Sequence, residues 1–514
     1  MNGLVSKHIR SILILGGGAV LSKCLGFLRN FALGFQFGAG EISDAFLLTA
    51  HIPEVMFGAI VTAASMNFIP AYMTMGDKEA RDRFASNILN TALVIALLGL
   101  IVAEMFPRQI VRIFAFELPE ETMGYAVVLL RLNMCMVIPL FAWHLFQAYL
   151  QANRIFFTTA AAGNVINIVL CIFILASERD TYYRLGIGIV LAHCAALLLT
   201  CAGMRGSRFS YQWVLDFRDP SLRHLCVLSV PLALEKLIWG MNLLVDRNLA
   251  SSMGVGVISS MMYASLLANA VGVVLLNPVA TTVFPVFAKL AAEAKWDEMS
   301  AAFWKYFRLL CVLLVPGSVF MSAFSGDIVT CILRHGAMDD AAAAVISDCL
   351  LFYAVGSILF WGMQDFCFRY VYARRDNWTT VKIRALAVSC NILLSVLFSR
   401  LWGWQGIAAA TSMSYAVSCA ALLYVFGKSY SIKMPSGVFK DISCMILFTV
   451  LAAAILHVLA HDVLCTENVF LQFAVETVGF AVGCTFMLIL RFKDELSAIV
   501  FPLRQDRAGS RSKI

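Results

Sequence analysis

Charge is scarce in this chain. Only 14% of its 514 residues are Asp, Glu, Lys or Arg, against about 25% in an average soluble domain. With 61% hydrophobic residues and a mean hydropathy of +0.82, a soluble fold is excluded. Motifs are scarce as well. There is no HExxH, GxSxG, Walker loop or Asp-rich metal motif, so no catalytic set is in view and the chain is read as a non-enzyme. Fifteen cysteines are scattered, most of them within apolar runs, and none forms a CxxC pair. That excludes a disulfide framework or zinc ribbon and leaves small core residues. The net charge of +7 is dispersed over connecting segments, so it does not read as nucleic-acid affinity. No loop is long enough to hold a soluble domain.

What the chain does have is length in its apolar runs. They reach about 20 residues or more, which points to membrane helices and not to the alternating ten-residue segments of a barrel. Fourteen candidate spans lie near 9–35, 42–73, 84–106, 123–150, 155–177, 185–204, 224–253, 257–288, 304–325, 341–372, 379–400, 404–426, 438–460 and 469–490. The fold class is therefore an all-α polytopic membrane protein with fourteen transmembrane helices. The first run continues through Lys23 and Arg29 with no cleavage site and is expected to stay as a helix. Gly16-Gly17-Gly18, Gly34, Gly38, Pro53, Pro139 and Pro278 are candidate break points, of the kind transporters use where a helix lines a cavity.

Orientation follows from the basic residues. With the N-terminus in the cytoplasm and sides alternating, 27 of the 39 Lys and Arg fall in cytoplasmic segments, six on the opposite side and six inside spans. This asymmetry satisfies the positive-inside rule and places both termini in the cytoplasm. The longest cytoplasmic connection, 205–223, carries Arg205, Arg208, Arg218 and Arg223 beside Tyr211 and Trp213. It reads as an amphipathic surface segment near anionic lipid headgroups, with a regulatory partner as the alternative.

Six cations sit where a membrane protein least tolerates them: Lys23, Arg29, Arg131, Lys236, Arg247 and Arg369. Each costs ~2.5–3.5 kcal/mol at the bilayer centre on insertion scales, so such residues usually line polar cavities. Lys23 and Arg29 are six apart, about 120° from a shared face on an ideal helix, and unwinding near the glycines would bring them together. They form either a cationic site with Asp44 as partner or gate, or a structural Arg29–Asp44 ion pair. Glu54 adds a second acid in the same span. In the seventh span, Glu235-Lys236 and Asp246-Arg247 are eleven residues apart, three helical turns, so like charges share a face. Function and interhelical locking are both open there. Arg131 reads as snorkelling to an interface, and Asp365 and Arg369 have the four-residue spacing of an intrahelical pair. Asn67, Asn164, Asn167, Asn269 and Asn277 read as interhelical hydrogen-bonders. His457 and His461 are four apart with only Asp462 near in sequence, and the chain is read as having no metal site.

Several runs carry a family resemblance. They are Ser22-Lys23-Cys24-Leu25-Gly26-Phe27-Leu28-Arg29-Asn30, Phe37-Gly38-Ala39-Gly40, Ser43-Asp44-Ala45-Phe46, Ile52-Pro53 and Phe68-Ile69-Pro70. Further runs are Val245-Asp246-Arg247 with Met262-Tyr263-Ala264 and Val283-Phe284-Pro285, Leu333-Arg334-His335-Gly336, and Tyr372-Ala373-Arg374-Arg375-Asp376 with Thr380-Val381-Lys382-Ile383. Over about 10–430 these resemble the MurJ (MviN) lipid II flippases of the multidrug/oligosaccharidyl-lipid/polysaccharide exporter superfamily.

The resemblance implies an N-terminal lobe (1–204), a linker (205–223), a pseudo-symmetric second lobe (224–427), two helices forming a lipid-tail groove (428–490) and a basic tail (491–514). It also implies alternating access in the bacterial inner membrane, with a lipid-linked glycan precursor as cargo, membrane lipids around it, and no cofactor. Coupling to the membrane potential or a monovalent cation is open, as are envelope-synthesis proteins as partners. Lys23, Arg29, Asp44, Lys236 and Arg247 would bind substrate, and Glu54, Glu235, Asp246, Arg131, Asp365 and Arg369 are gating or structural charges. The chain departs from the family at Met56-Phe57 and at Ser265-Leu266, where the family commonly carries arginines. Another polyprenyl-linked glycan or amphiphile, or a non-transporting scaffold, are the alternative readings.

Overall fold

A computed structural model describes residues 21–153, 155, 157–207, 209–432, 434–435, 437–460 and 469–491. Helices dominate, and no strand occurs among the described residues. The chain is a multi-pass, all-α membrane protein. Its helices in order are α1 (21–37), α2 (Glu41–Thr74), α3 (Lys78–Met105), α4 (Pro107–Phe114), α5 (Glu120–Met134), α6 (Val137–Ala152), α7 (Phe157–Leu175) and α8 (Tyr183–Met204). They continue as α9 (Pro220–Ser251), α10 (Val257–Ala292), α11 (Trp296–Ala323), α12 (Ser325–Ile332), α13 (Asp340–Tyr353), α14 (Trp361–Ala373), α15 (Asn377–Ser429), α16 (Val438–Val458) and α17 (Val469–Arg491). Among the described residues, eight helices are long and apolar enough to cross a membrane, or up to ten when each bent pair is one span. The predicted stretches 379–400 and 404–426 both fall in α15, which breaks at Gly403 (φ 60, ψ −136), a backbone conformation open to glycine and closed to most other residues.

Aspartates set several helix starts. Asp77, Asp219 and Asp376 each accept a backbone N–H from the first turn of α3, α9 and α15, and Asp339 accepts from Ala342 at the start of α13. Each such cap supplies an acceptor to an otherwise orphan donor. Asp376 also accepts from Thr379 Oγ1 and from Tyr430 Oη, both at 2.7 Å. The Thr379 hydrogen bond leads in holding its carboxyl below the usual carboxylate range. Breaks have local causes. Between α5 and α6 the chain bends by 41°, because Pro139 has no N–H to give to the carbonyl of Cys135. Between α13 and α14 the backbone widens into a π segment, Ala354–Phe360.

Packing divides the chain into two compact units. Unit 1 comprises residues up to Ser260 together with His335–Ala342, and unit 2 comprises Met261–Arg334 with the remainder from Ala343. Helix α9, assigned from sequence to the second lobe, therefore belongs to unit 1. The reasons are specific bonds. Asn67 Nδ2 on α2 donates to Ser229 Oγ on α9 at 3.1 Å. Asn248 on α9 accepts from Phe116 N and donates to Ile113 O, both at 2.8 Å, closing the end of α4. The 335–342 loop joins unit 1 through Ala337 N, which donates to Phe35 O at 2.8 Å.

The 209–217 part of the linker is irregular and is bonded along α3. Ser210 N donates to Asp82 Oδ2, Gln212 N to Ser86 Oγ and Asp216 N to Asn87 Oδ1, while Asn90 Nδ2 donates to Val214 O. Alternate residues Tyr211, Trp213, Leu215 and Phe217 stay exposed.

Candidate functional site

Unit 1 encloses a cavity of about 290 Å³. Helices α1, α2, α6 and α8 supply its polar lining: Arg29 and Asn30, His51 and Glu54, His144, and His193, with Trp143, Ile189 and, from α7, Leu170 among the apolar wall. Arg29 is half-buried. Its Nη1 donates to Asn167 Oδ1 at 3.2 Å and its Nη2 to Asn30 Oδ1 at 3.3 Å. Asn167 Nδ2 in turn donates to Ser22 O and Gly163 O. Two neutral amides thus hold the guanidinium in place and leave its positive charge for a ligand. A guanidinium has five donors, and these contacts use two of them.

Glu54 is the cavity's acid. Its carboxylate lies 3.4 Å from His51 Nδ1, one turn earlier on α2, and the Glu54 side chain remains largely accessible. The charge of Glu54 acts on Arg29, His144, His193, Lys236 and Arg247. His193 Nδ1 bonds Ile189 O at 2.8 Å, and Trp143 packs its ring against both His144 and His193. The cavity therefore brings one guanidinium and three imidazoles to the surroundings of one carboxylate.

The predicted residues distribute unevenly. Arg29 and Glu54 line the cavity. Lys23 and Lys236 are exposed and are not among its lining residues. Arg247 is buried and lies in electrostatic reach of His51 and Glu54, so it and Lys236 share a helix face without sharing an environment. The side chain of Glu235 is outside the described set, and Asp246 is half-buried. Arg131 is exposed and paired with Glu104 at 3.5 Å. Arg369 pairs within its own helix, Nη2 to Asp365 Oδ2 at 2.9 Å. His461 and Asp462 lie outside the described residues.

One expectation is corrected. Asp44 is not paired with Arg29 in this structure. Its two carboxylate oxygens accept Gly256 N at 2.6 Å and Ser259 N at 2.7 Å, capping the start of α10. The carboxylate is 1% exposed, and charge-assisted bonds to two backbone donors satisfy it where it sits. Gly256 has φ +84, and an added Cβ would meet Ala39 O at 2.5 Å, so glycine is required at that approach.

Other functional candidates were not singled out from sequence. His51, His144 and His193 fall inside apolar stretches, as three of only eight histidines, and a polar ring there was the available signal. Phe57, at a position of family departure, is 6% exposed and packs edge-on against Phe141 at 5.9 Å.

The sequence profile of the family described as Lipid II flippase MurJ matches residues 35–478. A relative from Thermotoga maritima named "Probable lipid II flippase MurJ" is 24% identical over 417 residues, covering 80% of this chain and 83% of its own. One from Burkholderia cenocepacia named "Lipid II flippase MurJ" is 21% identical over 440 residues, covering 83% and 85%. Among solved structures, a lipid II flippase MurJ in an inward closed conformation superposes with a TM-score of 0.78 at 21% identity, over 93% of this chain and 99% of that one. An inward-facing multidrug transporter of the MATE family superposes with a TM-score of 0.67 at 12% identity, over 81% and 96%. The likeness to these structures shows a shared fold.

Proposed function

The chain belongs to the lipid II flippase MurJ family, and from that premise we propose that it moves lipid II, the undecaprenyl-diphosphate-linked peptidoglycan precursor, across the bacterial cytoplasmic membrane by alternating access. The observation that carries this reading is the cavity of unit 1, in which a membrane-embedded arginine is held by amides and not by a carboxylate. A cation at that depth costs ~2.5–3.5 kcal/mol on insertion scales, and an anionic diphosphate offsets that cost. Arginine presents a planar fork that suits phosphate. Arg29 is accordingly the primary diphosphate holder. Arg247 and Lys236 supplement the positive field from α9, and Lys23 acts at the cavity approach. Glu54 offsets these cations when no cargo is bound.

The activity is transport and not covalent chemistry. Both termini lie in the cytoplasm. The lobes are those drawn from sequence, 1–204 and 224–427, with α9 carried by unit 1 in the state described. The lipid tail stays in the membrane along α16 and α17. Resetting draws on the membrane potential or a monovalent cation. Moving one charge through the field contributes ~2.3 kcal/mol per 100 mV.

Reconstitution into liposomes tests this, with lipid II in one set and a competing lipid-linked glycan in another. Wild type is expected to translocate lipid II, and Arg29→Ala to lose at least tenfold of that rate while inserting normally. Unchanged flipping in Arg29→Ala would remove Arg29 from the mechanism. Transport of only the competitor would reassign the cargo, and transport of neither by folded protein would leave the scaffold reading.

A further inference from the structure

Away from the cavity, three side chains from distant parts of the sequence converge inside unit 2. Asp327 stands in the first turn of α12, His457 in the last turn of α16 and Glu476 on α17. One ligand atom from each lies within 4.8 Å of the other two. Glu476 is fully buried, Asp327 half-buried and His457 exposed. The set thus has a dry carboxylate at its base and an imidazole at its mouth. Gln472 lies one turn before Glu476 on the same helix and is 9% exposed. Its Nε2 reaches Asp327 Oδ1 at 3.5 Å. The His457 ring sits against Phe324, with centroids 6.4 Å apart.

We propose that Asp327, His457 and Glu476 form a binding site for a divalent transition-metal cation of the zinc class, joining α12 to the two C-terminal helices. Charge is the first argument. Metal binding takes its ligands deprotonated, and two carboxylates with a neutral imidazole then sum to −2, which one divalent ion balances and a monovalent ion does not. Ligand chemistry is the second. One nitrogen and two carboxylate oxygens are donor types that zinc takes, and three protein ligands leave a fourth position for water. Calcium, which takes six to eight oxygens, is poorly served. Geometry is the third. Ligands at ~2.0–2.2 Å from a tetrahedral metal are about 3.4 Å from one another, so the trio closes onto an ion by shifts of about 1 Å. Gln472 is the kind of outer group that orients a ligating carboxylate. This site is independent of the cargo reading. Its ligands come from three elements, and the His457–His461 spacing weighed from sequence plays no part in it.

The test uses the full chain in nanodiscs with its thiols alkylated beforehand, because Cys24, Cys226 and Cys444 are exposed. Co²⁺ is titrated and followed by its visible absorption, then displaced by Zn²⁺. The expected result is one saturable Co²⁺ per chain, with affinity at least tenfold weaker in both His457→Ala and Glu476→Gln. Absence of saturable binding, or unchanged binding in His457→Ala, overturns the proposal. Glu476→Gln alters a buried group, so His457→Ala, at an exposed position, carries the decision through a second measurement. Zn²⁺ should raise the melting temperature of wild type and not that of His457→Ala. An equal rise in both overturns the site.

Discussion

Unit 1 surrounds its cavity with Arg29, Glu54 and three histidines, whereas unit 2 stacks Phe287, Phe303, Phe307, Phe366, Tyr370 and Phe426 on one another with centroid separations of about 5–6 Å. Rings of that size each bury ~150–250 Å², and in unit 2 they fill the interior. In unit 1 the corresponding aromatics, Phe68, Tyr72, Phe84 and Tyr149, cluster beside α3 and the linker, leaving the cavity to polar groups. Water-accessible space cannot also be packed hydrocarbon. A polar cavity therefore forgoes dispersion and burial that the other unit retains. The polar cavity of unit 1 has no ring cluster of this kind inside it.

Substitutions can break or sharpen that contrast. The largest stability loss is expected from Phe303→Ala. Phe303 is 0% exposed, and deleting a buried phenylalanine costs ~3–5 kcal/mol. Thermal unfolding in detergent should show it, with the Arg29-dependent transport rate per folded molecule unchanged. A loss below that of the next variant would sink the view of this ring cluster as a main packing element of unit 2. Asp44→Ala comes second, at about 3 kcal/mol, because it strands two buried N–H donors at ~1–3 kcal/mol each. Asp44→Asn keeps one acceptor and should fall between Asp44→Ala and wild type. If Asp44→Ala instead unfolds like wild type, the α10 cap is not a stability element. Smallest is Arg369→Ala. Its pair with Asp365 is partly solvated, and i,i+4 pairs of that kind contribute ~0.3–0.5 kcal/mol. A melting shift beyond a few degrees would mean that Arg369 has a role its intrahelical pairing does not express.

The unequal legibility of these features in the sequence has physical causes. Apolar run length marks a helix that crosses a membrane, so stretches such as 42–73 and 438–460 coincide closely with α2 and α16. Pro139 announced a break because the missing N–H is a property of the residue itself. The Asp365–Arg369 pair was equally local. Asp44 was not, since its partners Gly256 and Ser259 are more than 200 residues away and backbone donors leave no mark on composition. The cavity histidines escaped notice because a lone histidine in an apolar run is compatible with plain packing. Their grouping exists only once α2, α6 and α8 are assembled. The same holds for Asp327, His457 and Glu476, which no spacing connects.

The π segment at Ala354–Phe360 carries one more consequence. A wider turn holds an extra residue, and one residue corresponds to about 100° of helical rotation. The angular phase of α14 is therefore offset from that of α13. A single straight-helix wheel drawn through 341–372 misplaces one half of it. Gly356 lies against Ser412, whose Oγ donates to Phe352 O at 2.6 Å, so the neighbouring strand of α15 is fitted to the offset. Among relatives, the expected trace of such an insertion is a one-residue length difference confined to this stretch, with the flanking helices unshifted.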